Sequence, residues 1–156
     1  MRLVLLCVGR LRPYYREACD DYRRRLSRFA TIEEIEVREA GRRAAAGQQP
    51  AIEAQHLLKR LPHRATTIAL TRDGSRWSSR DLASRLDQWM VQGGPLAFVV
   101  GGSDGLGTAV IDKADETWSL GPLTLPHELA RVIVYEQLYR GYTILKGMPY
   151  HKGGAP

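Results

Sequence analysis

Apolar residues along the chain fall into two patterns. Residues 3–8 (Leu-Val-Leu-Leu-Cys-Val) and 96–100 (Leu-Ala-Phe-Val-Val) are short uninterrupted runs, each closed by glycine. Runs of that length read as strands buried on both faces. Residues 67–71 and 117–120 give a third and a shorter run, while Ile32, Ile35 and Val37 alternate with glutamates as a weaker, half-exposed strand over 32–37. Between these runs the apolar spacing turns helical. Pro13 can open a helix reaching about residue 29 through Tyr15, Ala18, Tyr22 and Leu26, since its missing N–H costs nothing in a first turn. Residues 50–61 place Ile52, Leu57, Leu58 and Leu61 inward, and Pro62 closes them. Ser78 and Asp81 have capping-box spacing before Leu82, Leu86 and Trp89, in a helix to about 92. A short helix is expected near 108–114, and a long one over 127–146 with Leu129, Val132, Ile133, Leu138 and Tyr142 facing in. Strands alternating with helices of this length imply an α/β fold: a mostly parallel sheet with flanking helices.

In such sheets ligands sit beyond the carboxyl ends of the strands. The glycine-bearing turns after Val8, Leu70, Val100 and Leu120 all fall there. In the turn at residues 72–75, Gly74 is expected to supply a positive φ. Gly101, Gly102, Gly105 and Gly107 leave backbone groups unscreened, so a flat ring could approach closely. Their spacing matches neither a dinucleotide fingerprint nor a P-loop. The later loop, Leu120, Gly121, Pro122, Leu123, Thr124, Leu125 and Pro126, is apolar and stiffened by proline. The two loops, with Leu70 as a third wall, would make a cleft for an aromatic base. Residues 39–49 show no period and read as a mobile connection.

Bulk properties narrow the function. The 156 residues, 44% apolar and 26% charged, fit one soluble domain spanning 1–156. No run approaches the ~20 apolar residues of a membrane helix, and the amino terminus lacks a secretory pattern, so a cytoplasmic protein with no membrane association is expected. Cys7 and Cys19 have no metal or redox spacing and read as core, and no metal site is expected. The net charge of +6 points to a polyanionic partner. Arg23 and Arg24, in a run of arginines late in the first helix, either complement its dipole or bind phosphate. Glu128 with Arg131, and Glu136 with Arg140, are spaced to pair along the last helix. His127 is more readily a capping or core histidine than a catalyst. Tyr150, His151 and Lys152 suit stacking on a base and contacting phosphate, or else form a frayed tail.

Several of these stretches together match a known family. Residues 6–9 (Leu-Cys-Val-Gly), 99–105 (Val-Val-Gly-Gly-Ser-Asp-Gly), 123–127 (Leu-Thr-Leu-Pro-His), Arg131-Val132, 136–140 (Glu-Gln-Leu-Tyr-Arg) and 150–152 (Tyr-His-Lys) occur in its order. The chain resembles, over nearly its whole length, the RlmH family of ribosomal large-subunit (23S rRNA) pseudouridine N3-methyltransferases of the SPOUT class. The resemblance implies a small α/β domain with its C-terminal part threaded into a trefoil knot, which general chain-topology rules would not anticipate. It implies a homodimer, S-adenosylmethionine as methyl donor, and 23S rRNA in the ribosome as substrate. Carried over by motif, the donor contacts fall on Leu70, Gly101, Leu120, Gly121, Pro122, Leu123, Thr124 and Leu125, with Gly102 beside them. His151 is the candidate for an acid/base or base-orienting role, with Tyr150 stacking and Arg140 contacting base or phosphate. Arg131, Lys152, Arg23 and Arg24 are candidates for RNA contact. The residues after Lys152 and the 41–49 loop match no motif of the family. A non-catalytic basic RNA- or ribosome-binding protein is the alternative from another class. A nucleotide-binding oxidoreductase is a more distant one, lacking its fingerprint.

Overall fold

The two uninterrupted apolar runs become the interior strands. β1 (Arg2–Val8) pairs on one side with β4 (Leu96–Val100) and on the other with β2 (Thr31–Val37), both parallel. β3 (Thr66–Arg76) joins the far side of β4, and β5 (Glu116–Ser119) closes that edge, giving the parallel order β2-β1-β4-β3-β5. The strand with the glutamates lies at an edge, as its half-polar pattern requires. The computed structural model describes residues 1–41, Ala45 and 47–152. Arg42, Arg43, Ala44, Ala46 and residues 153–156 lie outside the described residues, and the expectations of loop mobility and of a tail past Lys152 fall partly on them.

Successive strand residues face opposite sides, so the sheet feeds two cores. Leu3, Leu5, Cys7, Phe98 and Val100 face α1 (Pro13–Leu26), α3 (Ser79–Gln92) and α5 (His127–Leu145). Leu6, Val8 and Val99 face α2 (Gln49–Leu58) and α4 (Thr108–Lys113). Ser78 caps α3 in a reciprocal box with Asp81. Trp118 meets Phe98 edge-on at 6.0 Å and stacks on Trp77 at 5.3 Å. Both cysteines are buried, and desolvation pushes their thiols up to about 12, in keeping with a core role.

Four local expectations change. α1 stops at Leu26, three residues early, and α2 at Leu58 rather than 61. Ile52 is exposed, while Glu53, Ala54 and Leu57 are the buried residues of α2. β3 does not end at residue 71. It continues through an irregularity and pairs again with β5 at Ser75 and Arg76. Gly74 has no positive φ; what excludes a side chain there is close approach, since an added Cβ would lie 2.8 Å from the Trp118 backbone.

The largest change concerns α5. Wedged between α1 and α3, it buries Arg131, Val134, Tyr135, Leu138, Tyr139 and Tyr142, a stripe rotated from the expected one. Leu129, Val132 and Ile133 stay half-exposed. Arg131 is 1% exposed. It donates to Glu36 at 2.7 Å and to the Gly9 and Val8 carbonyls at 2.9 and 3.3 Å. Arg16 joins the same carboxylates, reaching Glu34 at 2.6 Å and Glu36 at 2.5 Å. Tyr135 donates to Glu34 at 2.7 Å. The expected Glu128–Arg131 pair does not form; Glu128 instead holds Arg12 at 2.9 Å. Arg131 is therefore not a surface contact for RNA. Burial makes it a structural cation that fixes β1, β2 and α5 to one another.

Replacing Arg131 with alanine removes the donor to the Val8 and Gly9 carbonyls and leaves Arg16 as the one cation on Glu34 and Glu36, beside a cavity. The expected loss is about 3–5 kcal/mol, read as a lower denaturation midpoint in urea. A change below about 1 kcal/mol would contradict the role given to it.

Candidate functional site

Because the strands are parallel, the irregular stretch of β3 past Leu70 and the loops after β4 and β5 arrive at one edge of the sheet side by side. The segment after β4 folds back on itself. Gly105 N–H donates to the Gly102 carbonyl at 3.1 Å, and Gly105 takes φ +82°. A Cβ on Gly101 would lie 2.6 Å from the Gly105 carbonyl carbon, so only glycine lets the turn close this tightly. At its far end Gly107 presses on α2, where an added Cβ would meet the Pro50 carbonyl oxygen at 2.5 Å. The segment after β5 turns at Gly121, with φ +113° and its N–H held by Ser119 Oγ at 3.1 Å. Arg72 donates to Thr124 and so lashes the β3 loop to this knuckle.

Between these walls lies a cleft of about 530 Å³. Of the residues expected to hold a donor, Leu70, Gly101, Gly102, Leu120, Gly121, Leu123, Thr124 and Leu125 line it; Pro122 does not. Arg72, Asp104, His127 and Ala130 also line it and were not anticipated there. Asp104 could have been noticed as the one carboxylate within the glycine turn. His127 comes in because Pro126 starts α5 at the cleft mouth. Backbone edges on one side and leucines on the other suit a flat heterocycle with a polar rim.

Behind the glycine turn stands Glu53, which the sequence reading passed over. It is 6% exposed, and its Oε1 accepts the Ala40 N–H at 3.1 Å. Its Oε2 has no hydrogen-bond partner and would lie 3.2 Å from a Cβ on Gly102. Burial holds this carboxyl above the usual carboxylate range, opposed by the Ala40 N–H and aided by Glu39 and Asp104.

The carboxy-terminal candidates gather elsewhere. Arg140 pairs with Glu136 at 2.5 Å and lies 3.4 Å from His151 Nδ1. The Tyr150 hydroxyl donates to Glu136 at 3.1 Å. Its ring meets Tyr139 edge-on at 4.7 Å, with the Arg140 guanidinium 4.7 Å from its centre. That ring is thus engaged within its own chain rather than open for stacking, and burial raises its phenol. Tyr142 donates to Met1 at 3.5 Å, which puts this end of α5 at the opposite edge of the sheet. His127 and Arg140 are 13 residues apart on one helix, hence about 20 Å apart along its axis. One chain therefore does not bring Tyr150, His151 and Arg140 to its own cleft. Arg23 and Arg24 are paired with Asp20 and Asp21 at 3.2 and 2.9 Å, while Lys152 is exposed. Among the described residues no group of three or more His, Cys, Asp or Glu could hold a metal ion, and no helix is long and apolar enough to cross a membrane.

Comparison with known proteins bears on this geometry. A family model described as "Predicted SPOUT methyltransferase" matches residues 1–151. A protein of Anaeromyxobacter sp. (strain Fw109-5), named ribosomal RNA large subunit methyltransferase H, is 46% identical over 153 residues, 97% of this chain and 100% of its own. A protein of the same name from Rubrobacter xylanophilus is 49% identical over 154 residues, 96% of this chain and 98% of its own. Among solved structures, a probable methylase family protein from Haemophilus influenzae shares the fold. Its TM-score is 0.54 at 14% identity, covering 99% of this chain and 71% of that one.

The carboxyl of Glu53 has a testable signature. Its raised value means that folding favours the neutral form. That contribution is complete below the unfolded-chain value and is lost as pH rises through the folded one. Glu53→Gln cannot lose it. The stability of the variant relative to the parent should therefore climb as pH rises from about 4, measured by urea denaturation. A difference independent of pH would refute the assignment.

Proposed function

The chain belongs to the SPOUT methyltransferases, among relatives named ribosomal RNA large subunit methyltransferase H, and from that footing we propose that it transfers a methyl group from S-adenosylmethionine to N3 of a pseudouridine in 23S rRNA. The observation that carries this reading is the cleft between the glycine turn and the β5–α5 knuckle. Its volume lies within the roughly 300–1,000 Å³ of small-molecule sites. Its glycines admit a ring edge-on to backbone groups, and Leu120, Leu123 and Leu125 cover an apolar face. A protein that only gripped phosphates would need neither wall.

The bound donor supplies an activated methyl on a sulfonium. The protein's own task is then alignment, with N3 held in line with the methyl–sulfur bond, and removal of the N3 proton. Arg72, Asp104 and the glycine turn orient the donor's polar ends. His151 takes the proton or orients the base. Arg140, 3.4 Å from its ring, steadies developing negative charge on the base.

His151 and the cleft sit at opposite edges of the sheet, so a working site needs a second copy. In the homodimer we infer, two α5 helices lie antiparallel, and the half-exposed Leu129, Val132 and Ile133 are covered there. Each tail then reaches the cleft of the other copy.

Labelled donor should methylate ribosomes carrying the pseudouridine and fail on ribosomes with uridine at that position. Gly101→Ala should weaken donor binding at least tenfold in calorimetry, about 1.4 kcal/mol. His151→Ala should bind donor normally yet slow single-turnover methylation by about 10²-fold or more. Mixing the two variants as one population of dimers should restore about a quarter of the parental activity, because half the dimers are mixed and each holds one intact site. No recovery on mixing would exclude the shared site, and full activity of His151→Ala alone would exclude its role.

A further inference from the structure

The family reading leaves open where the RNA backbone runs. The cations first expected to meet it are largely committed, since Arg23 and Arg24 are matched by aspartates and Arg131 is buried. Arg10 and Arg38 are different. Both are exposed, and neither has an ion pair or hydrogen bond among the described residues. They follow β1 and β2, whose last residues Val8 and Val37 are paired. Parallel neighbours lie about 4.8 Å apart, so the two arginines leave the same sheet edge as the cleft, and both line one groove.

They border a groove of about 930 Å³ floored by Gly9, Ala40 and Gly41. Of its two carboxylates, one is matched by cations and the other is more than half exposed. Glu36 is bound by Arg16 and Arg131. Glu39 lies close over Gly9 and 3.8 Å from His127 Nε2. The groove adjoins the cleft, because Glu39 of the groove approaches His127, which lines the cleft. Glu53 ties the two together, with one oxygen on the Ala40 N–H and the other against Gly102. On the other flank Arg12, its side chain 58% exposed, lies 5.3 Å from the centre of the Tyr14 ring. Tyr14 itself is 57% exposed. An exposed aromatic, four residues on from the unpaired Arg10 and faced by Arg12, which Glu128 also holds, matches a strand that has both phosphates and unstacked bases. An acidic peptide or a lipid surface would not call for it.

Resting on the function proposed above, we infer that Arg10 and Arg38 form the phosphate track for rRNA flanking the target base, and that Tyr14 and Arg12 stack a neighbouring base. The track and the donor cleft belong to the same protomer. RNA laid along it passes the cleft mouth at His127.

The test uses full-length protein and intact ribosomes. Binding is followed by co-sedimentation over a range of salt, with donor binding by calorimetry alongside. Arg10→Glu with Arg38→Glu should weaken ribosome binding at least tenfold and make the log–log salt slope shallower by about 2. Donor affinity should stay within twofold. Arg10→Lys with Arg38→Lys should retain most of the binding. Tyr14→Ala should weaken binding with no change in slope, and Tyr14→Phe should not weaken it. Arg60→Glu, an exposed change in the α2–β3 connection at the other sheet edge, should do neither. Unchanged binding and slope in the double charge reversal would overturn the track. So would an equal loss in Arg60→Glu, or release of the ribosome by polyglutamate as readily as by RNA of equal charge. If the parent protein binds ribosomes along this track but transfers no methyl group, the proposed function falls and the track stands.

Discussion

One buried guanidinium sets the frame on which the rest is hung. Arg131 reaches from the first turns of α5 to the carbonyls at the end of β1 and to the carboxylates of β2. Those carbonyls sit where the β1 ladder stops and would otherwise need water or a turn. By taking them, Arg131 fixes the start of α5 against the ends of two strands it does not follow in sequence. The position of His127 at the cleft, the reach of Glu39 toward it and the emergence of Arg10 all inherit that registration. A cation so deep is held because carboxylates and carbonyls meet its two terminal nitrogens; alone it would cost several kcal/mol.

The consequence is a molecule whose cleft and carboxy-terminal cluster lie at opposite ends. Parallel strands send every following loop to one edge, which is why a glycine turn and a leucine-rich knuckle separated in sequence share a cleft. The same topology returns α5 to the opposite edge, with the histidine and tyrosine of the tail packed on its last turns. The distance between the two ends is a helix length, not a side-chain length. Under the proposed function, pairing of two copies is what would bring them together.

Much of this was legible in the residues, and for identifiable reasons. Strands β1 and β4 are read from apolar runs that only a doubly covered sheet tolerates. The Ser78–Asp81 box and the glycine turn are local chemistry, decided within a few residues. What was misjudged depends on neighbours distant in sequence. The buried stripe of α5 is set by α1 and α3 lying on either side, so Leu129 and Ile133 gave way to Arg131 and Tyr135. Arg131 looked like a surface cation because its carboxylates lie some 95 positions earlier in the chain. Gly74 answers to the Trp118 backbone, not to its own dihedral angles. Glu53 gave no sign of burial, as nothing in its own stretch shows that Ala40 and Gly102 converge on it.

The two thiols carry a last implication. Cys7 and Cys19 are the only cysteines of the chain, both sealed in the core and held protonated by desolvation. A thiol that is neither ionised nor reachable is a poor nucleophile. Alkylating reagents can therefore mark these sulfurs only in molecules whose β1 and α1 have come apart. The rate of labelling is a clock for global opening, supplied by the natural sequence and readable without any added probe.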